Sequence, residues 1–360
     1  MLTARTVIFH GAGQPFELAE LPVPAPGPGE ILVRNEYTTL CRSDLYTYTG
    51  KRTEKTPTIL GHEITGRIVS LGPDTPAQDL EGQPLASGAR ITWAIFASNP
   101  ESALSKKGIP QKGEGLIKYG HEPLTPSHTL HGGLSQYTLL RPHTPVLRLT
   151  DAIPVSVAAT LNCAVATIAG ALRVAGDIKG QTVLVSGAGM LGLIACAMSH
   201  AGGAAQVIAL DINPERLDMA AHFGASLCLY AGDDVPARLA QHTGVPNPVH
   251  VVIEVSGQAS AMAQTLDLLA IGGIAVWQGA VFPQQTQLNA EKIIRNLLTI
   301  KGLHNYNLED FRAAVRFMTH HHQAYPFERL IHTGFSLEQA EAAFAYAVQA
   351  NPFRVGIQTD

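Results

Sequence analysis

Cysteine is scarce in this 360-residue chain: four residues, at positions 41, 163, 196 and 228, with no clustering among them. That argues against a disulfide-built scaffold and leaves thiolate chemistry open to individual side chains. Charge is also sparse, with 15% charged residues against 46% hydrophobic ones, which describes a large core and not a disordered chain. The 25 basic and 29 acidic residues give a net charge of −4, so no electrostatic footprint for nucleic acid or an anionic membrane is visible. No run of about 20 apolar residues follows the N-terminus. Met1 to Leu21 mixes short apolar runs with Arg5, Glu17 and Glu20, which reads as a first pair of strands and not a signal peptide. A cytoplasmic protein with a small-molecule partner is expected, and no internal repeat or low-complexity tract stands out.

What is present changes character along the chain. Up to about residue 153, short β-like runs such as Ile31-Leu32-Val33 and Ile64 to Leu71 are punctuated by Pro and Gly in Pro22 to Gly29 and Gly82 to Gly88. This spacing predicts a strand-rich, loop-rich domain. From about 154 to 299 strands and helices alternate: Thr182 to Ser186, a Gly-rich turn, an apolar helix to His200, then strands at Gln206 to Leu210, Val249 to Val255 and Ile274 to Gly279. Such alternation marks a parallel α/β sheet. Asp310 to His320 and Leu337 to Ala350 read as amphipathic helices and Phe353 to Gln358 as a closing strand, all expected to return to the first domain.

Gly187-Ala188-Gly189-Met190-Leu191-Gly192 follows the apolar strand directly and opens the helix. In that context the G-x-G-x-x-G glycines permit a tight turn, close approach to a pyrophosphate and close helix packing, while the helix N-terminus favours the anion. The bland alternative is a turn that merely joins strand to helix. Against it stands Asp211, ending the next strand, where a carboxylate accepts from ribose hydroxyls and repels a 2′-phosphate. NAD is therefore expected over NADP, with Arg216 placed to stack on adenine or contact ribose.

Cys41, His62 and Cys163 are the other informative set. Each alone has an ordinary structural reading, but two thiolates and an imidazole are the donors of an open zinc site, with the fourth position left for water or substrate. Their order along the chain, Cys41 with Ser43 and Asp44, then Gly61-His62-Glu63 and Gly66, then Cys163 and Thr167, then the Gly-rich turn, resembles the zinc-dependent alcohol dehydrogenase branch of the medium-chain dehydrogenase/reductase superfamily. Gly132-Gly133-Leu134-Ser135-Gln136-Tyr137 extends the resemblance, which covers nearly the whole length. It implies a GroES-like β-rich catalytic domain, 1–153 and 300–360, split around a Rossmann NAD-binding domain, 154–299, with the active site in the cleft between. It implies zinc held by Cys41, His62 and Cys163, with Glu63 entering the coordination sphere during exchange. It further implies that Asp44 orients the imidazole, Ser43 takes the substrate proton, Thr167 sits beside the nicotinamide and Arg354 reaches the pyrophosphate. Gly187, Gly189, Leu191, Gly192, Asp211 and Arg216 would contact the dinucleotide. The reaction implied is hydride transfer between an alcohol, or its aldehyde or ketone, and NAD, by a homo-oligomer, dimer or tetramer. Pro110-Gln111-Lys112, Lys118 to Glu122 and Lys301 to Tyr306 resemble the phosphonate-catabolism-associated alcohol dehydrogenase subgroup.

The chain also departs from that pattern. Where relatives place four cysteines around a structural zinc, this sequence has Asn99, Ser102, Ser105 and Gly113, so one catalytic ion and no structural zinc is expected. Tyr46 stands where relatives commonly carry a proton-passing His, and a phenol is a poor shuttle near neutrality. Pocket wall is an equal reading of Tyr46. His320-His321-His322 reads as a helix end, Lys51-Arg52 as a surface turn, Cys196 and Cys228 as buried thiols, and Trp93 as either pocket or core. Two alternatives stay open: a metal-free quinone or enone reductase of the same superfamily, which needs neither Cys41 nor Cys163, and a non-catalytic NAD-binding protein.

Overall fold

The computed structural model describes residues 2–280 and 284–360. Its chain forms two compact units. One comprises the residues up to Ala166 with Asn307–Gln323 and Phe327–Asp360, the other Thr167–Tyr306 with Ala324–Pro326.

The first unit is built on a seven-stranded sheet whose central strand, Ile31–Leu40, is rich in β-branched and apolar residues and buried along most of its length. Glu63–Leu71 pairs antiparallel on one side of it, with Thr39 opposite Glu63. On the other side Tyr137–Leu140 pairs with its first half and Arg354–Gln358 with its second, Val355 opposite Leu40. Ile331–Ser336, Arg90–Trp93 and Val146–Arg148 complete the sheet. This register brings Cys41, His62 and Arg354 to the same end of three adjacent strands. Val7, Phe9, Leu60, Phe344 and Ile357 form one core beneath, while Ile31, Val33, Ile64, Trp93 and Tyr119 form another. Trp93 is wholly buried there and fills core. A small lobe projects between Phe96–Ala97 and its partner strand Ile117–Lys118.

In the second unit six parallel strands lie in the order Leu227–Tyr230, Gln206–Asp211, Thr182–Ser186, Val249–Glu254, Leu269–Trp277, Thr299–Gly302. This is the expected doubly wound arrangement, in which the strand order reverses between Thr182–Ser186 and Val249–Glu254 and ligands bind beyond the carboxyl ends. Thr182–Ser186 is buried at every position, as a strand covered by helices on both faces requires. The helices start where the sequence supplies caps: Asn213 accepts from Arg216 N–H ahead of Pro214, and Asp234 from Ala237 N–H. Among the described residues one helical run, Val155–Ala175, is long and apolar enough to cross a membrane, and 83% of its most apolar window is buried inside the protein, as in a core helix.

Candidate active site

Cys41 follows the central strand and precedes the helix Arg42–Tyr48. Its N–H donates to Asp44 Oδ2 at 2.8 Å, which satisfies one of the helix's orphan amides. The other oxygen of the same carboxylate lies 3.2 Å from His62 Nδ1. A carboxylate only accepts, so Nδ1 carries the proton and Nε2 is left as the ligand nitrogen. One side chain thus sets both the thiol's backbone and the imidazole's tautomer. His62 follows Gly61, whose φ of +87° and contact with the Gly133 backbone leave no room for a side chain. Cys163 lies in a π-helical turn, Leu161–Val165, an irregularity that recurs at functional sites. Asn162 joins the pieces: its Nδ2 donates to the His62 carbonyl at 3.0 Å and its Oδ1 accepts from Ile64 N–H at 3.3 Å.

The Cys41, His62 and Cys163 donor atoms all lie within 4.8 Å of one another. Tetrahedral zinc with ordinary Zn–S and Zn–N lengths needs about 3.5–3.8 Å between ligands, so a small closure suffices. Two sulfurs and one imidazole are the donors zinc prefers, and three protein ligands leave a fourth position for chemistry. The three donors are electrostatically coupled, and the proton that zinc must displace sits mainly on Cys163 and His62. A hydrogen bond from Cys163 holds the Cys41 thiol well below the ordinary range, aided by the Arg354 charge, and the same pairing pushes Cys163 well above it. Burial pulls His62 down, but the charge and hydrogen bond of Asp44 prevail and raise it.

Glu63 is not among the converging donors. Its Oε1 takes a charged hydrogen bond from Arg354 at 2.8 Å, and its Oε2 one from Thr39 Oγ1 at 2.5 Å. Burial pushes its pKa up to about 7 against the pull of Arg354. Arg354 is correspondingly sequestered at 4% exposure and donates also to the Leu40 carbonyl, so its guanidinium is engaged with Glu63 and not extended toward a phosphate. Ser43 is half-buried on the first turn beyond Cys41. Two neighbours were invisible to sequence reasoning. The His121 ring lies 4.9 Å from that of His62, and His121 is tied through Glu54, at 3.0 Å, to Arg52, at 2.6 Å. Arg52 therefore belongs to a half-buried charge chain that reaches His121 and not to a plain surface turn. Tyr46 is half-buried with the Lys51 ammonium 5.8 Å from its ring centre.

The Asn99–Gly113 lobe brings its positions together with a different chemistry. Ser102 Oγ donates to Ser105 Oγ at 2.9 Å and accepts from Ser105 N–H at 3.2 Å, and a Cβ on Gly113 would stand 2.6 Å from Ser105 Oγ.

In the second unit, Gly187 has φ of +98°, and a Cβ on Gly192 would stand 1.8 Å from the Gly187 carbonyl oxygen. Strand, turn and helix are in contact there as the fingerprint requires. Asp211 accepts from Ala188 N–H at 2.6 Å and Asn213 N–H at 2.9 Å, which fixes its carboxylate beside the turn. Arg216 Nη1 lies 3.6 Å from the Cβ position of Gly189, and Leu191 is half-buried on the helix's first turn. Thr167 is the second residue of the helix Ala166–Ala175, and its carbonyl accepts from Gln278 Nε2 at 2.7 Å. The remaining features are structural: His320 and His322 bond carbonyls one turn back, Cys196 is buried, and Cys228 is half-buried with its thiol on the Leu217 carbonyl.

Residues 27–151 match the alcohol dehydrogenase GroES-like domain and residues 191–320 the zinc-binding dehydrogenase domain. A Mycobacterium tuberculosis protein named "Probable alcohol dehydrogenase adh" is 30% identical over 333 residues, 90% of this chain and 89% of the relative. The chain belongs to the zinc-binding alcohol dehydrogenase family. An L-threonine 3-dehydrogenase of Ruegeria pomeroyi is 27% identical over 334 residues, 91% of this chain and 92% of that one. The crystal structure of an alcohol dehydrogenase from Thermotoga maritima superposes with a TM-score of 0.93 at 26% identity, covering 100% of both chains. With the donor set above, the enzyme is a zinc-dependent oxidoreductase of the alcohol dehydrogenase type that uses NAD(P) and takes a small alcohol as substrate.

Proposed function

We propose that this dehydrogenase oxidises its alcohol with NAD in preference to NADP, holding one catalytic zinc through Cys41, His62 and Cys163 and no structural zinc. The convergence of those three donor atoms within 4.8 Å carries the reading. When bound, zinc supplies Lewis-acid polarisation of the substrate oxygen and NAD the hydride-accepting ring. Asp44 keeps the His62 tautomer that presents Nε2. Ser43, two residues from Cys41, accepts the substrate's proton, and Tyr46 forms pocket wall. Glu63, balanced between Arg354 and Thr39, is placed to exchange partners when the ligand set changes, and release of Glu63 would free Arg354 for a phosphate. Asp211, anchored by two backbone amides, accepts from the adenosine ribose and repels a 2′-phosphate. Gly187, Gly189, Leu191 and Gly192 cradle the pyrophosphate side, Arg216 stacks on adenine or contacts ribose, and Thr167 lies beside the nicotinamide. The serine pair of the lobe supports the absence of a second ion, since hydroxyls without thiolates do not make a closed zinc cage.

The Pro110-Gln111-Lys112, Lys118–Glu122 and Lys301–Tyr306 strings support membership of the phosphonate-associated subgroup. Lys112 and Arg52 stand close enough to Lys118 that their charges, after burial, push it down to about 8, and this cluster of basic side chains is what an anionic alcohol would meet. The strand Thr299–Gly302 ends its sheet with one edge open, and Ile271, Ile294 and Leu297 are exposed near it, which supports a homo-oligomer in a cytoplasmic enzyme. The test is an NAD-reduction screen across primary, secondary, polyol and hydroxyphosphonate alcohols with zinc measured in parallel. NADH formation with one zinc per chain, both lost in Cys41→Ser and Cys163→Ser, is expected; full turnover without zinc would overturn the reading.

A further inference from the structure

We propose that Glu254 is a positioning residue for the dinucleotide, holding the Gly187 turn at its working height through Ser256. The inference rests on the dinucleotide reading of that turn and assigns a role to a side chain outside the G-x-G-x-x-G motif.

Glu254 ends the strand next to Thr182–Ser186 and is wholly buried, an unusual place for an acid without a cationic partner. Its Oε1 accepts from Ser256 N–H at 2.9 Å and from the Ser256 hydroxyl. That pair of bonds bends the chain sharply after the strand and presses the Ser256 backbone onto the glycine turn: a Cβ on Gly187 would lie 2.8 Å from both Ser256 N and Cα. On its other side, the Glu254 carbonyl accepts from Gln278 N–H at 3.0 Å and Gly279 N–H at 3.2 Å, at the end of the next strand. Gly257 and Gly279 interlock so closely that a Cβ on Gly279 would stand 2.3 Å from Gly257 N and 2.9 Å from Glu254 Oε2. One residue thus touches the turns that follow three adjacent strands at the carboxyl edge, where a doubly wound sheet binds its ligand.

The chemistry of the carboxyl fits a spacer with a defined shape. Oε2 is buried against the Gly257–Gly279 contact, and an anion in that position is costly. Burial raises the Glu254 pKa against the pull of the Ser256 bonds and of the Gly257 N–H. A fixed acceptor at Oε1 is what Ser256 needs. An amide reproduces it and a methyl does not.

The experiment is fluorescence titration of NADH into zinc-loaded wild type, Glu254→Gln, Glu254→Ala and Ser256→Ala, with zinc content, urea unfolding and the separate KM values for NAD and alcohol. Glu254→Gln should keep the NADH dissociation constant within about twofold, whereas Glu254→Ala should weaken it about tenfold or more, since displacements near 1 Å carry penalties of that size. Ser256→Ala should fall between them. Zinc content and the KM for alcohol should stay at wild-type values while the KM for NAD rises. A folded Glu254→Ala that binds NADH as wild type does, with only its unfolding midpoint lowered, overturns the proposal. Should Glu254→Ala not fold, unchanged affinity in Ser256→Ala overturns it equally. Wild type that takes up neither NADH nor NADPH removes the dinucleotide reading itself, an outcome distinct from normal wild-type binding with unaffected variants.

Discussion

Asp44 holds two structures at once, and the two functions can be separated. Asparagine at 44 still offers an oxygen to Cys41 N–H but presents an amide to His62, which favours the wrong tautomer. Asp44→Asn should therefore weaken zinc about 10–100-fold, measured by chelator competition, with the helix intact by circular dichroism. His131 gives the opposite kind of test. It is wholly buried, neither ring nitrogen has a partner, and burial, reinforced by the nearby His128, pushes its pKa down to about 3. An unfolded histidine takes up its proton near pH 6.5, whereas the folded one resists to about 3. The unfolded state thus binds more protons in that window, and stability is lost as pH falls through it. Wild type should lose on the order of 3 kcal/mol between pH 7 and pH 4 from this group alone. His131→Leu, which buries no orphaned nitrogen, should flatten the urea-unfolding profile over that range. Cys41 and His62 were legible because each stands in a short string of polar donors or glycines, whereas Cys163, within Asn162-Cys163-Ala164, was legible only by its order after them. The Arg354–Glu63 pair left no mark in the sequence, because its members lie 291 residues apart and meet only through strand register.

Among elements, the glycine-rich turn was the most legible, since strand, turn and helix are contiguous in sequence and each glycine has a local reason. Gly192→Ala would set a Cβ 1.8 Å from the Gly187 carbonyl oxygen, so helix and turn must separate. NADH binding should fall beyond detection in the titration while zinc content is retained. The π-turn at Leu161–Val165 left no such mark, because its wider winding depends on the bonds Asn162 makes to His62 and Ile64, about 100 residues earlier. In the lobe, Gly113→Ala would crowd Ser105 Oγ within its bond to Ser102, costing about 1–3 kcal/mol as overpacking does. Faster amide exchange confined to residues 99–114 would register it, and Gly113→Ala with Ser105→Ala should recover part of the loss.

At the scale of the whole molecule, the second unit could be read from alternating strands and helices because its parallel sheet is assembled from near neighbours. The first unit could be read as strand-rich with its last helices and closing strand returning to it, but not its strand order, because the sheet joins strands from both ends of the sequence. Ile271, Ile294 and Leu297 are 75%, 72% and 70% exposed around the Thr299–Gly302 edge. Ile271→Asp with Ile294→Asp should shift the sedimentation coefficient to that of a monomer and leave NADH affinity unchanged. The antiparallel pairing of Arg354–Gln358 with Ile31–Leu40 bears on synthesis. The ion pair that neutralises Glu63, and the strand that covers one edge beside Cys41, come from residues translated about 300 positions later. On the ribosome the second unit, mostly continuous in sequence from Thr167 to Tyr306, emerges and can close before the first unit has all its strands. Until then a buried acid has no counter-charge and a cysteine-bearing edge stands unpaired. The metal centre is in this sense a late product of the chain, complete only after the nucleotide unit has been made.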